Sequence, residues 1–265
     1  MRTSEWVVFA YAAYLLVTAV IVRTPVCRLR PAALLQLSSI ALIALTSWFE
    51  PARAAGILRD WFPGYYLLSA YWASGLLYRG PNEALEARLE AIDRRAFAWL
   101  GPAVLQAPRP LLEFFEFAYL FCYPLPPAAL VVLYVSGHRG RADALWVLVL
   151  VSALAVYGVL PWVGTRPPRA LGLDGWIDRR PLIARRFNLA VLERGSIHVN
   201  TFPSGHAASA TAVALFMTSI PGSGWPVFAA LAAAIGFGAA VGRYHYWADI
   251  VVGVLVAVAV FALVG

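Results

Sequence analysis

Lysine is absent from this chain of 265 residues, so all 21 of its basic positions are arginine. Charge of either sign is sparse at 13% of residues, while 61% are hydrophobic. A water-soluble domain is excluded, because its apolar share lies nearer roughly 45–50%. Cysteine occurs only as Cys27 and Cys122, far apart, and no His-x3-His or His-Glu pair accompanies them. That leaves no zinc-ligand spacing, and two remote cysteines are silent about redox compartment. Neither a glycine-rich nucleotide fingerprint nor an internal repeat is present. The formal charge of +7 would suit nucleic acid, but the arginines are dispersed over short loops between apolar runs. Anionic lipid, not nucleic acid, is the partner this distribution fits.

What fills the chain instead is a succession of apolar windows of about 20 residues, the length that crosses a hydrocarbon core. The expected fold is an all-α integral membrane protein, a bundle of about seven or eight helices forming one polytopic domain over 1–265. Residues 1–110 hold N-terminal spans and an interfacial helix, and 111–265 hold the core. Residues 6–22 and 32–49 read as a helical hairpin. The first run is taken as a retained anchor, since no small-x-small cleavage site follows and Arg23, Arg28 and Arg30 come next. Residues 61–78 are aromatic-rich and barely long enough to span, so they either cross or re-enter.

From Asn82 to Leu100 the pattern changes. Leu85, Leu89, Ile92, Ala96 and Trp99 are spaced along one helical face, with Glu83, Glu86, Glu90 and Arg94 on the other. This predicts an amphipathic helix at the membrane interface. The next span, 111–135, contains Pro124, Pro126 and Pro127, which predict a kink. Near its start Glu113 and Glu116 share a face, and acidic residues inside a span tend to be functional. After a span at 143–163, a loop from Gly164 to Asn200 sets seven arginines against Asp174, Asp178 and Glu193. Spans at about 203–220, 225–242 and 246–264 complete the bundle.

The chemistry concentrates between Thr201 and Gly253. Thr-Phe-Pro-Ser-Gly-His at 201–206 and Gly-Arg-Tyr-His-Tyr-Trp-Ala-Asp at 242–249 each open an apolar run. Each therefore puts a histidine at a helix N-terminus, whose unpaired N–H groups and positive dipole end suit a phosphate. His245 and Asp249 are four apart and are expected on one face, where the carboxylate holds one imidazole nitrogen and leaves the other free. One apolar segment leaves and the next returns, bringing Arg243 and His245 to the face where His206 sits. Thr165-Arg166-Pro167-Pro168-Arg169 ends the preceding run on that face and offers guanidinium forks to phosphate oxygens. His138 and His198 lie outside any such pattern and read as structural.

These residues resemble the type 2 phosphatidic acid phosphatase superfamily, whose pattern is a basic first motif, then Pro-Ser-Gly-His, then Arg with a later His-x3-Asp. Pro203-Ser204-Gly205-His206 matches the second motif outright, and the resemblance covers roughly the C-terminal 100 residues. The lysine of the usual first motif is missing, and Arg243 precedes His245 by two residues instead of the usual six. Both departures resemble the branch that includes inositol phosphorylceramide synthases and related bacterial proteins.

The resemblance implies a lipid phosphatase with a type 2 phosphatase-like helical core. In it His245 attacks phosphorus, Asp249 orients it, and His206 serves as general acid and then base. Arg166, Arg169, Arg243, Ser204 and the N–H of Gly205 would bind the phosphoryl group. No cofactor or metal is expected. Glu113 and Glu116 are candidate contacts to the substrate head group. The substrate would be a membrane lipid phosphate or diphosphate with an anionic head group. The alternatives are a phosphotransferase that moves a phosphorylated head group such as inositol phosphate to a lipid alcohol, and a non-enzymatic lipid transporter. Paired His245 and Asp249 argue against simple transport. The implied location is a bacterial plasma membrane. Counting spans places 16 arginines on the site face and 5 on the other, whether or not 61–78 crosses. The positive-inside rule then predicts a cytoplasmic site, whereas most bacterial relatives, by resemblance, work on the outer face.

Overall fold

A computed structural model describes residues 1–49, 53–173, 177 and 180–265. Asp174, Asp178 and the side chain of Trp99 lie outside that description. Helices α1 (Thr3–Ile21) and α2 (Val26–Trp48) form the expected N-terminal hairpin. Then come α3 (Arg53–Trp61), α4 (Pro63–Leu76), α5 (Glu83–Gln106) and α6 (Arg109–Leu120). They are followed by α7 (Leu125–Val135), α8 (Ala142–Tyr157) and α9 (Ile183–Gly195). The C-terminal trio is α10 (Gly205–Thr218), α11 (Trp225–Val241) and α12 (Trp247–Val264).

Among the described residues, α1, α2, α12 and the stretch Arg139–Tyr157 are long and apolar enough to span a membrane. Helices α6 and α7 together are long and apolar enough for a fifth span, bent by 73° at the break between them. Pro124 caps α7, and Pro126 and Pro127 sit in its first turn. Proline is harmless there, but without N–H groups these residues cannot carry the ladder on from α6, so the chain turns. A count of seven or eight full-length helices is therefore not matched. Helices α4 and α10 have 14 residues each, and α10 in particular is enclosed by protein, so it has no lipid thickness to match.

Helix α4 runs from one end of the bundle to the other. Just before it, the Asp60 carbonyl accepts a hydrogen bond from Trp146 Nε1 near the start of α8, at 2.7 Å. Just after it, Tyr78 packs against Gly164, beyond the end of α8. The segment 61–78 thus runs the length of the bundle. The end of the bundle that holds Gly164 also holds the N-terminus of α10, and it is called the site end below.

Helix α10 is the central element, packed against α8, α11, α12 and α7. Most of its residues are buried, and they are small: Ala207, Ala208, Ser209, Ala210, Ala212 and Ala214 among them. Small side chains let helix backbones approach closely where lipid supplies no hydrophobic drive between helices. Helix α12 comes close at Gly253, where a Cβ would collide with the Ser204 carbonyl oxygen.

Two elements over the site end differ from expectation. Helix α5 exists, but its inward stripe is Glu86, Leu89 and Asp93, while Ile92 is 48% exposed. Its buried carboxylates have arginine partners, part-exposed Arg166 for Glu86 and buried Arg243 for Asp93, and satisfying a charge outweighs burying one aliphatic side chain. The 164–200 segment, read as a loop, contains α9, which turns Arg185, Asn188 and Leu192 inward. A short antiparallel pairing of Gly164–Thr165 with Asn200–Thr201 ties the ends of this segment together. It brings the Arg166 cluster beside the Ser204–His206 turn.

Candidate active site

Ser204 caps α10, its hydroxyl accepting the Ala207 N–H at 3.3 Å, while its own N–H donates to the Asp249 carbonyl at 2.9 Å. The starts of α10 and α12 are thereby joined. Gly205 follows because nothing larger fits: a Cβ there would lie 2.5 Å from the Tyr157 ring. His206 is the next residue, on the first turn of α10.

His245 sits in the turn between α11 and α12, not on a helical face shared with Asp249. The N–H groups of Tyr244 and His245 both donate to the Ala239 carbonyl, at 2.9 and 3.1 Å. Arg243 adopts a left-handed conformation, φ 59°, which turns the chain sharply. Asp249 accepts the Tyr246 N–H at 3.0 Å and so caps α12, which requires residue 246 to be non-helical. The carboxylate still reaches the imidazole: Asp249 Oδ2 is 3.4 Å from His245 Nδ1. On the other side of the ring, His245 Nε2 is 3.1 Å from His206 Nδ1. Asp249 and His245 are buried, at 0% and 4% exposure. Burial, with a smaller contribution from the Arg169 cation, depresses the His245 pKa to about 3. The imidazole is therefore neutral near pH 7, the form that carries a nucleophilic lone pair.

The three arginines expected at a phosphate differ in what already holds them. Arg166 is gripped by Glu86, which accepts its backbone N–H at 2.6 Å and its Nη2 at 2.7 Å. Arg243 ion-pairs with buried Asp93 and donates from Nε to the Leu173 carbonyl at 3.2 Å. The Arg169 guanidinium lies 5.3 Å over the Tyr244 ring. Among the described residues it has no carboxylate partner.

Glu113 and Glu116, expected at a head group, are engaged by the protein's own donors. Glu113 accepts the N–H groups of Ile183 and Ala184, both at 2.8 Å, and so caps the start of α9 with a charge that its dipole favours. Glu116 is 1% exposed. It takes hydrogen bonds from Arg185 Nη1 at 3.1 Å, Asn188 Nδ2 at 2.7 Å and Tyr244 Oη at 2.6 Å. Arg185 also donates to the Gly242 carbonyl at 2.9 Å. The result is a buried polar knot beneath the turn that carries His245.

Two features escaped the sequence reading. Asp93, 1% exposed, pairs with Arg243 and accepts the N–H of Trp247, the first residue of α12, at 2.9 Å. Burial raises its pKa, with Arg243 pulling the other way. The signal was present: Glu86 and Asp93 are two helical turns apart on the stripe that contains Leu89. The second feature is an aromatic wall. Tyr119 and Tyr244 stack at 4.2 Å, and Tyr119 meets the His206 ring edge-on at 5.2 Å.

Among the described residues no group of three or more His, Cys, Asp or Glu side chains is gathered as a metal site. Comparison with curated proteins and with solved structures returns no match. The family model described as the PAP2 superfamily matches residues 88–263. That interval takes in all but the last residue of α12, together with His206, His245, Asp249, the three arginines and Asp93. With well over half of its length inside the match, this helical membrane protein belongs to the PAP2 superfamily.

Proposed function

We propose that the chain is a membrane lipid phosphatase, releasing phosphate from a lipid phosphate or diphosphate through a phosphohistidine on His245. PAP2 membership supports a phosphatase or phosphotransferase of this general type. The observation that carries the specific reading is the succession of contacts Asp249, His245, His206, with 3.4 Å and 3.1 Å between successive partners. Asp249 faces Nδ1, so Nε2 is the nitrogen left for chemistry, and a carboxylate there stabilises the imidazolium that forms on attack.

In the resting protein Nε2 is occupied by His206. A substrate phosphoryl group has to part the two rings, and its negative charge favours protonation of His206 as it enters. His245 Nε2 then attacks phosphorus, the bond from phosphorus to the lipid oxygen breaks, and His206 gives its proton to that oxygen. Water attacks the phosphohistidine next, losing its proton to His206, and the phosphorus–nitrogen bond breaks to regenerate His245. Arg169 supplies the main positive charge to the transferring group. Arg166 and Arg243, fixed by their carboxylates, add pre-oriented charge, and the Ser204 hydroxyl and Gly205 N–H add donors at the start of α10. Preorganised charge of this sort is the chief resource in phosphoryl transfer. No metal or other cofactor enters the scheme.

A second reading rests on Thr165-Arg166-Pro167-Pro168-Arg169 and the compact Arg243-x-His245-x3-Asp249. Both resemble the inositol phosphorylceramide synthase branch, in which an alcohol takes the place of water. The histidine roles do not change, only the hydroxyl that His206 deprotonates.

The test is purified full-length protein with a panel of lipid phosphates and diphosphates, with and without a lipid alcohol acceptor. Phosphate release that survives EDTA and is blocked by vanadate is expected, with an acid-labile phosphoprotein that His245→Ala does not form. Normal turnover by His245→Ala would overturn the nucleophile. Loss on chelation, restored by zinc or magnesium, would move the reaction to metal catalysis.

A further inference from the structure

A cavity of about 310 Å³ opens beside the acid–base histidine, and His245 is not among its lining residues. Gly205, His206 and Ser209 line it from α10. Trp61, the residue after Asp60, lines it too. Asp60 belongs to the end of the bundle opposite the site, where it pairs with Arg2 and Arg139. The cavity thus runs lengthwise through the bundle. Helix α8, which spans the same two ends, has 16 residues, a length of about 24 Å at 1.5 Å per residue.

Three observations say what it would hold. His206 lines one end of it, where the proposed chemistry frees one oxygen and activates another. Its walls are mostly apolar and aromatic, including Tyr71, Tyr123, Trp146 and Tyr157. Tyr123, 42% exposed, lies at the 73° break between α6 and α7, where the wall of the bundle is interrupted. Its volume is at the low end of small-molecule pockets, which begin near about 300 Å³. One apolar chain fits that volume, and a two-chain body does not.

The walls also divide by origin. Tyr123, Trp146, Tyr157 and Ser209 lie within the family match at 88–263. Trp61, Gly64, Tyr65, Leu68 and Tyr71 lie outside it, on α3 and α4. The histidines belong to the shared core, whereas one side of the cavity is built by a segment that the family match does not cover.

The geometry points to this cavity as the subsite for a single apolar chain of the lipid alcohol bonded to the reacting phosphorus, with α4 selecting that chain. The assignment rests on the phosphoryl-transfer reading above. It places the chain along the bundle axis, its oxygen at His206, and phosphorus between that oxygen and His245 Nε2. This is the in-line order that displacement requires.

Gly64→Leu tests it at the far end, where a Cβ would meet the Trp146 ring at an ordinary 3.6 Å. Ser209→Leu tests it one turn from His206. Hexadecyl phosphate and butyl phosphate are the paired substrates, and the readout is the ratio of their kcat/KM values. That ratio should fall about tenfold in each variant, equivalent to roughly two buried methylenes. An unchanged ratio in both variants, with their Tm values near wild type, would overturn the assignment. A second measurement does not depend on turnover: a long-chain alcohol bearing a terminal diazirine is photolysed with the wild-type protein and the adducts are mapped. Adducts on residues 61–71, reduced in Gly64→Leu, are expected. Adducts confined to the outer faces of α1 and α2 would overturn the subsite. If wild type releases phosphate from neither substrate, the phosphoryl-transfer reading fails, and the adduct map decides the chain site by itself.

Discussion

His206 Nδ1 lies 3.1 Å from His245 Nε2, so the proposed acid and the proposed nucleophile hold one another while the site is at rest. Their separate roles can be pulled apart with the leaving group. An alkyl lipid phosphate needs its departing oxygen protonated, and general acid catalysis is worth roughly 10²–10⁴-fold. His206→Ala should therefore lose about that much kcat/KM, which reports the phosphorylation step alone, on an alkyl phosphate and much less on an aryl phosphate, whose leaving oxygen needs no proton. His245→Ala should lose both alike. Equal losses for both substrates in His206→Ala would remove it as the acid.

Asp93 is the residue on which the His245 turn hangs from outside. It pairs with Arg243 and accepts the N–H that begins α12. Breaking a buried pair by removing one partner costs about 3–5 kcal/mol, because the remaining charge stays buried and uncompensated. Asp93→Asn should lower Tm and kcat together. The double variant Asp93→Asn, Arg243→Gln should recover much of the Tm without recovering kcat, since neither neutral side chain restores the turn. Recovery of both would make the pair a stability element only. Thermal melts and initial rates in detergent decide it.

Much of this architecture could be read in the sequence, for a physical reason. Apolar run lengths report membrane crossings, and Pro124, Pro126 and Pro127 report a break, because both act through local chain properties. The Pro203-Ser204-Gly205-His206 turn was legible too, since its cap, its close glycine and its histidine follow one another in the chain. What could not be read was pairing across the fold. Glu86 and Asp93 look like the solvated face of an interfacial helix until Arg166 and Arg243 are placed beside them. Glu113 and Glu116 carry the mark of functional acids in a span, and only the position of α9 shows that they hold Ile183, Ala184, Arg185 and Asn188. Helix α9 itself was hidden by its arginines, whose inward member, Arg185, has Glu116 for a partner.

The depressed pKa of His245 carries a prediction about acid. In the unfolded chain histidine titrates near about 6.5, and in the folded protein His245 titrates near about 3. Between those values the unfolded state binds the extra proton, so stability falls as pH falls through that window and is fully present above it. Tm should drop between pH 7 and pH 5 in wild type. His245→Gln, which has no proton to gain, should show a smaller drop over the same interval. Parallel curves for the two proteins would mean that other groups govern the acid transition.

Sidedness remains a contest between charge and kinship, and the fold sharpens it. Because α4 runs the length of the bundle, the arginines on segments at the non-site end are Arg2, Arg53, Arg59, Arg139 and Arg141, and the other 16 of the 21, leaving aside Arg179 outside the described residues, belong to segments at the site end. Several of those 16 are neutralised by Glu86, Asp93 or Glu116. The positive-inside rule, however, counts arginine and lysine themselves and not net charge, so these pairs do not cancel the bias. Its weakness here is that α5 and α9 are folded against the site end, and long or folded segments can be translocated whatever their charge. We predict a cytoplasm-facing site, against the resemblance to bacterial relatives that act outside. Glu193 is exposed on α9 at the site end, and Gly140 is exposed at the other, with open space around its Cβ position. In a protein carrying Cys27→Ser and Cys122→Ser, Glu193→Cys should resist an impermeant thiol reagent in intact cells, and Gly140→Cys should react. The opposite labelling pattern would place the histidines outside, and the excess of arginine at the site end would then serve anionic lipid head groups, not orientation.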